Sequence, residues 1–80
     1  MNNYFETNSL PLSVALLCLG FALDSIEKST DGKALFIFLQ SKELNSAIQL
    51  YWHRELKIDP ISFWQNQKFL KSRMYELIKT

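Results

Sequence analysis

The sequence predicts a small α+β domain, and three observations carry that prediction. The run Lys33-Ala-Leu-Phe-Ile-Phe-Leu39 follows the turn Thr30-Asp31-Gly32 and holds six consecutive apolar residues, the pattern of a strand buried on both faces. Two apolar segments begin as helices do: one at Ser9 with Pro11 in its first turn, the other at Asp59-Pro60. The 80 residues are 48% apolar and 21% charged with two Gly and two Pro, which excludes whole-chain disorder and bounds the chain to a single domain, 1–80. A chain this short buries only a little over ~60% of its unfolded surface, so self-association would add stability.

In chain order, Tyr4 to Thr7 is short and β-compatible. Ser9 caps a helix that runs to Leu19 and stops at Gly20, a residue suited to the left-handed position after a helix. Phe21 to Ser29 alternates roughly, placing Phe21, Leu23 and Ser25 opposite Ala22, Asp24 and Ile26, and the Asp31-Gly32 turn joins it in a hairpin to the Phe36 strand. On that strand Leu35, Ile37 and Leu39 point one way and Phe36 and Phe38 the other. Ser41 caps a helix from Lys42 to about Arg54, with Leu44, Ala47, Ile48 and Tyr51 on one stripe. Leu56-Lys-Ile58 is a candidate short edge strand, and Asp59-Pro60 opens the amphipathic helix Ile61 to Lys79. Numbered in sequence, the order is β1-α1-β2-β3-α2-(β4)-α3: a three- or four-stranded antiparallel or mixed sheet, ferredoxin-like with an added C-terminal helix. With four strands, β1 and β3 would be central.

The motifs Phe5-x-Thr7-x-x-Leu10-x-Leu12, Gly20-Phe21-x-Leu23, Phe36-x-Phe38, Tyr51, Asp59-Pro60-x-x-Phe63 and Leu70-Lys71-x-Arg73-Met74-Tyr75 span nearly the whole chain. Together they resemble an uncharacterised small-domain family of bacteria and their mobile elements. The resemblance implies a stand-alone domain, with a regulator of a neighbouring enzyme as a minor possibility, and transfers no catalytic residue.

A formal charge of +1 supplies no global field for nucleic acid or anionic membrane, although residues 53–80 hold six basic and three acidic side chains and residues 1–52 three basic and five acidic. The single Cys18 forms no internal disulfide and reads as a packed thiol in a reducing compartment. The N-terminus lacks a basic signal region, and the apolar run from Leu10 to Leu23 is short of the ~20 residues a membrane span needs, so the expectation is a cytoplasmic protein off the membrane. One His and one Cys exclude the usual zinc ligand sets, and His53 lies opposite the Leu44 stripe as a solvated side chain. No phosphate loop or nucleophile motif is present, and Glu6 on β1 is separated by β3 from Asp24 and Glu27 on β2. With both sheet faces covered there would also be little room for a pocket, so neither an enzyme nor a cofactor or metal site is expected.

What remains is surface. The first helix is apolar almost all round, so its side away from the sheet must meet another helix or another chain; Leu12, Leu16 and Leu19 are accordingly candidates for an interface. Trp52, half-exposed beside Arg54, and Phe69 join them. On the C-terminal helix, Phe63, Leu70, Met74 and Leu77 form a core stripe. A second stripe holds Trp64, Lys68, Lys71, Tyr75 and Lys79, where lysines would neutralise phosphates while rings stack on bases, or would simply lie over the rings with their heads in water. The Phe36 strand resembles the central strand of an RNA-recognition motif in its basic start and alternate aromatics, but lacks that motif's glycines. The expectation is a non-enzymatic interaction or assembly module that self-associates or docks on a protein. The alternative is weak, sequence-tolerant binding of single-stranded nucleic acid through the second stripe or an uncovered Phe36 and Phe38 face.

Overall fold

The computed structural model describes residues 3–79, the side chain of Lys79 excepted. The order is β1 (Tyr4–Thr7), α1 (Leu10–Cys18), β2 (Leu23–Lys28), β3 (Ala34–Leu39), α2 (Lys42–Trp52) and α3 (Pro60–Lys79). The three strands are antiparallel in the order β1-β3-β2, with the apolar β3 in the middle.

Each helix starts where a short polar side chain can serve its first free amides. The Ser9 hydroxyl accepts from the Leu12 amide at 3.3 Å, the Ser41 hydroxyl from Leu44 at 3.0 Å, and an Asp59 carboxylate oxygen from Ser62 at 2.9 Å. Helix α1 ends one residue earlier than expected because Gly20, at φ +93°, closes a Schellman turn: its amide reaches the Leu17 carbonyl at 3.0 Å and that of Phe21 the Leu16 carbonyl at 3.1 Å. Helix α2 stops at Trp52 for the same reason. Here Arg54 takes the left-handed position at φ 60°, with its amide on Tyr51 and that of Glu55 on Leu50.

The β2–β3 hairpin closes through the Gly32 amide on the Ser29 carbonyl at 3.0 Å, followed by Gly32 at φ +84°, the three-residue loop that pairs a tight turn with a left-handed glycine. Before it, β2 does not alternate simply. A bulge between Leu23 and Ser25 lets Leu23 pair with Phe38 and Ile26 with Phe36, so both apolar residues join the phenylalanine face and Ser25 takes the other. This corrects the expected alternation, in which Leu23 and Ile26 faced apart.

All three helices gather on the phenylalanine face. Phe36 and Phe38 are buried there with Leu12, Val14 and Leu16 of α1, Leu44, Ala47 and Ile48 of α2, and Leu70 of α3. That burial removes the uncovered Phe36 and Phe38 surface as a nucleic-acid platform. Five consecutive residues of α1, Leu12 to Leu16, are buried, because α2, α3 and the sheet surround it. The one buried polar residue among them, Ser13, donates its hydroxyl to the Ser9 carbonyl at 2.8 Å. Asn66 of α3 donates to the half-buried Cys18 sulfur at 3.4 Å and ties α3 to the end of α1.

One sequence expectation fails and another holds in part. Leu56-Lys57-Ile58 forms no strand; it connects the left-handed turn at Arg54 to the Asp59 cap, and among the described residues the sheet has three strands. Three residues are too few to compete with the caps on either side. The expected burial of β3 on both faces holds only in part. Ile37, outside the helix-packed cluster, is still only 6% exposed and Leu35 is half-buried, but the terminal Leu39 is 62% exposed. The result is a slab of 36 × 36 × 18 Å, one sheet under one layer of helices.

Candidate functional site

Helix α3 has 20 residues and so is about 30 Å long, far longer than its contact with the sheet requires. Phe63, Leu70 and Met74 turn to the core. At 100° per residue Ile61, Trp64, Lys68 and Tyr75 fall on the outer side, and the structure leaves Ile61 65%, Trp64 57% and Tyr75 53% exposed. The Lys68 ammonium stands 4.4 Å from the centre of the Trp64 ring, one helical turn away, a cation–π contact. Of the expected aromatic and lysine stripe, Trp64, Lys68 and Tyr75 therefore share one exposed face. Lys71 is half-buried at its border, and the Lys79 side chain lies outside the described residues.

On the other flank of α3 the Arg73 guanidinium sits 5.6 Å from the Phe69 ring centre. Phe69, Arg73 and Glu76 face Leu23, Asp24 and Ile26 of β2 across an open groove of about 560 Å³. A second hollow of about 300 Å³ lies near Leu10, Met74 and Ile78. The expected lack of room for a pocket is thus corrected: the short sheet leaves open space beside α3 at β2.

The expected interface set is divided. Leu12 and Leu16 are 1% and 0% exposed inside the chain's own core, which corrects their assignment to an interface: α2 and α3 supply the cover that a second chain was expected to give. Leu19, Trp52 and Phe69 are exposed, but stand at the end of α1, the end of α2 and the flank of α3. Trp52 meets the half-buried Tyr51 ring edge-on at 5.2 Å.

Sequence reasoning missed how polar the borders of the second side of the sheet are, around a buried Ile37. Residues paired across antiparallel strands share a face, so Tyr4 joins Leu39, Glu6 and Ser25 flank Ile37, and Glu27 stands beside Leu35. The available signal was the polar partner set Glu6, Ser25 and Glu27, residues that fit a solvated face.

The hairpin holds a carboxylate with a lowered pKa. The Ser29 hydroxyl donates to the Asp31 carboxylate, the Lys33 amide donates to the same oxygen at 3.3 Å, and the Lys33 charge is near; together these hold the Asp31 carboxyl below its ordinary range. Among the described residues no three His, Cys, Asp or Glu side chains group as a metal set, and no helix is long and apolar enough to cross a membrane.

Comparison with curated proteins and comparison with solved structures each found no match. A family model does match, over residues 2–76, taking in all three strands and nearly all of the helical layer. The chain belongs to the DUF5659 family, described as a domain of unknown function.

Proposed function

We propose that the domain is a non-catalytic interaction module that self-associates or docks on a protein partner through the outer face of α3. The observation that carries this reading is that face itself: Ile61, Trp64 and Tyr75 stand in water on a helix whose other side already closes the core. Exposed aromatics beside a cation are the composition of interface anchors, and leaving them solvated forgoes the gain from burying them. The fold reads as a ferredoxin-like arrangement without its fourth strand, and a lone packed thiol suits a reducing cytoplasm.

The experiment is solution mass by light scattering over a concentration series, repeated with a short mixed-sequence oligonucleotide at low salt. Mass that rises with concentration and ignores the oligonucleotide is the expected result for an assembly module. A monomer that binds no oligonucleotide would turn the search to a different protein as partner.

A second reading, weak single-stranded nucleic-acid binding, is favoured by Trp64, Lys68 and Tyr75 sharing one face. It requires Lys68 to leave the Trp64 ring so that a base can stack there. Its signature is oligonucleotide uptake that falls steeply with added salt.

A further inference from the structure

Strand β2 is an edge of the sheet: among the described residues no strand lies beyond it in the order β1-β3-β2. The Ser29 amide donates to the Lys33 carbonyl at 2.8 Å, and residue pairs along an antiparallel ladder alternate between bonded and unbonded, so Glu27 and Ser25 turn their amides and carbonyls to β3. Ile26 and Lys28, set between and beyond them, turn theirs outward. Beside that edge runs the groove of about 560 Å³, lined by Ile26 and, from α3, by Phe69, Arg73 and Glu76.

We infer that the β2 edge is taken by β2 of a second copy of this chain, antiparallel about a twofold axis through the Ile26 pair, which joins two three-stranded sheets into one of six. The charges select this register. Three symmetric registers pair the outward groups, centred on Ile26, Glu27 or Lys28. Centring on Glu27 or Lys28 sets that residue directly against its own counterpart, a like-charge pair. Centring on Ile26 sets Lys28 of each copy opposite Asp24 of the other, with Glu27 facing Ser25. Asp24 is exposed, being the residue that the bulge leaves unpaired with β3. Lys33, across from Ser29 on β3, and Glu6, on β1, stand a strand or more away from the junction. The other edge, β1, carries Glu6 as its only charge and offers no such match.

The axis stands normal to the sheet, so the helices of both copies lie on one side and the two grooves meet over the Ile26 pair. The flank of α3 that carries Arg73, Glu76 and the half-exposed Phe69 then turns toward the same flank of the second copy, with a cation and an anion on each side. The bulge and the charges of Glu27 and Lys28 deter an arbitrary strand and leave this one pairing open. The surface is separate from the outer face of α3, and the contact closes at two copies. Its charge pairs are exposed, so it weakens with salt.

The test is sedimentation velocity over a concentration series on the wild type and on Trp64→Asp, which spoils the outer α3 face so that any association left reports the β2 edge. Trp64→Asp should reach a dimer and stop. In that chain Lys28→Glu and Asp24→Lys, both at exposed positions, each set like charges across the junction twice and should each remain a monomer; circular dichroism melts check that they fold. An equimolar mixture of the two should form a one-to-one dimer, because every pair is again of opposite sign, a recovery that misfolding cannot produce. If Lys28→Glu and Asp24→Lys each dimerise as their parent does, this register is overturned. If Trp64→Asp is a monomer while the wild type associates, the edge pairing is overturned and assembly through α3 stands. If the wild type is a monomer at every concentration, self-association through either surface is overturned.

Discussion

Helices α1 and α3 are both rich in apolar side chains, and the fold treats them in opposite ways. Helix α1 is apolar in nearly every direction, yet its own chain covers it: five residues in a row are buried, including a serine whose hydroxyl turns back to a backbone carbonyl. Helix α3 is amphipathic by pattern, yet it buries only Leu70 fully and leaves Ile61, Trp64, Phe69 and Tyr75 half or more exposed. All-round hydrophobicity marks a helix as central to the layer, not as an interface. Aromatics placed off the core stripe of an amphipathic helix are the better sign of a surface with a partner.

The largest test of this contrast substitutes one residue on each helix. Leu16→Ala is expected to cost about 2–5 kcal/mol, the range for a fully buried leucine that leaves a cavity. Trp64→Ala should stay within about 0.5 kcal/mol, as solvent-facing changes usually do, while altering solution mass. Urea unfolding of the two variants checks this, and equal losses would break the comparison.

A smaller effect separates the ends of α1 and α2. A Cβ on Gly20 would meet no atom within 4 Å, so Gly20→Ala should cost roughly 1–2 kcal/mol through the left-handed backbone alone. Arg54 already bears that strain, and Arg54→Gly should gain roughly 0.5–1 kcal/mol, since relief of the strain is partly offset by the entropy a glycine carries when unfolded. Thermal melts of the two variants should shift in opposite directions; a shared sign would show that one of these turns is not what limits its helix.

The smallest effect lies outside both helices. The Asp31 carboxyl is lowered in the folded chain, so its contribution to stability is fully present above the ordinary carboxylate value and is lost as pH falls through the folded value. An NMR titration should place the Asp31 midpoint below that of an unstructured aspartate, and Ser29→Ala should raise it. A midpoint at or above the unstructured value would remove the Ser29 hydrogen bond from the account.

What the sequence disclosed was what neighbouring residues decide among themselves. Ser9, Ser41 and Asp59 announce helix starts because each serves an amide three residues on, and Gly20 announces an end because it alone takes the left-handed turn without strain. Arg54 gave no such notice, and α2 was expected to run to about Arg54 rather than stop at Trp52. The bulge at Asp24 was hidden as well, since alternation in Leu23–Lys28 is reset by pairing with a distant strand. Leu12 and Leu16 were placed at an interface because an apolar wheel does not say which neighbour covers which side. Helical spacing did bring Trp64, Lys68 and Tyr75 together on α3; the exposure of Leu39 escaped notice because in sequence it looks as buried as Ile37 or Phe38.

The position of β3 has a consequence for solubility. Ala34–Leu39 is six apolar residues without a charge or a proline, the composition that stacks into cross-β aggregates when freed. In the native sheet that stretch is hydrogen-bonded on both sides, and its guards are poor templates themselves: β1 has four residues, and β2 carries a bulge and ends in Glu27-Lys28. The hazardous segment is released only when a flanking strand detaches, so precipitation in this chain should follow loss of the core, with Leu16→Ala falling out of solution on mild warming under conditions that Trp64→Ala tolerates.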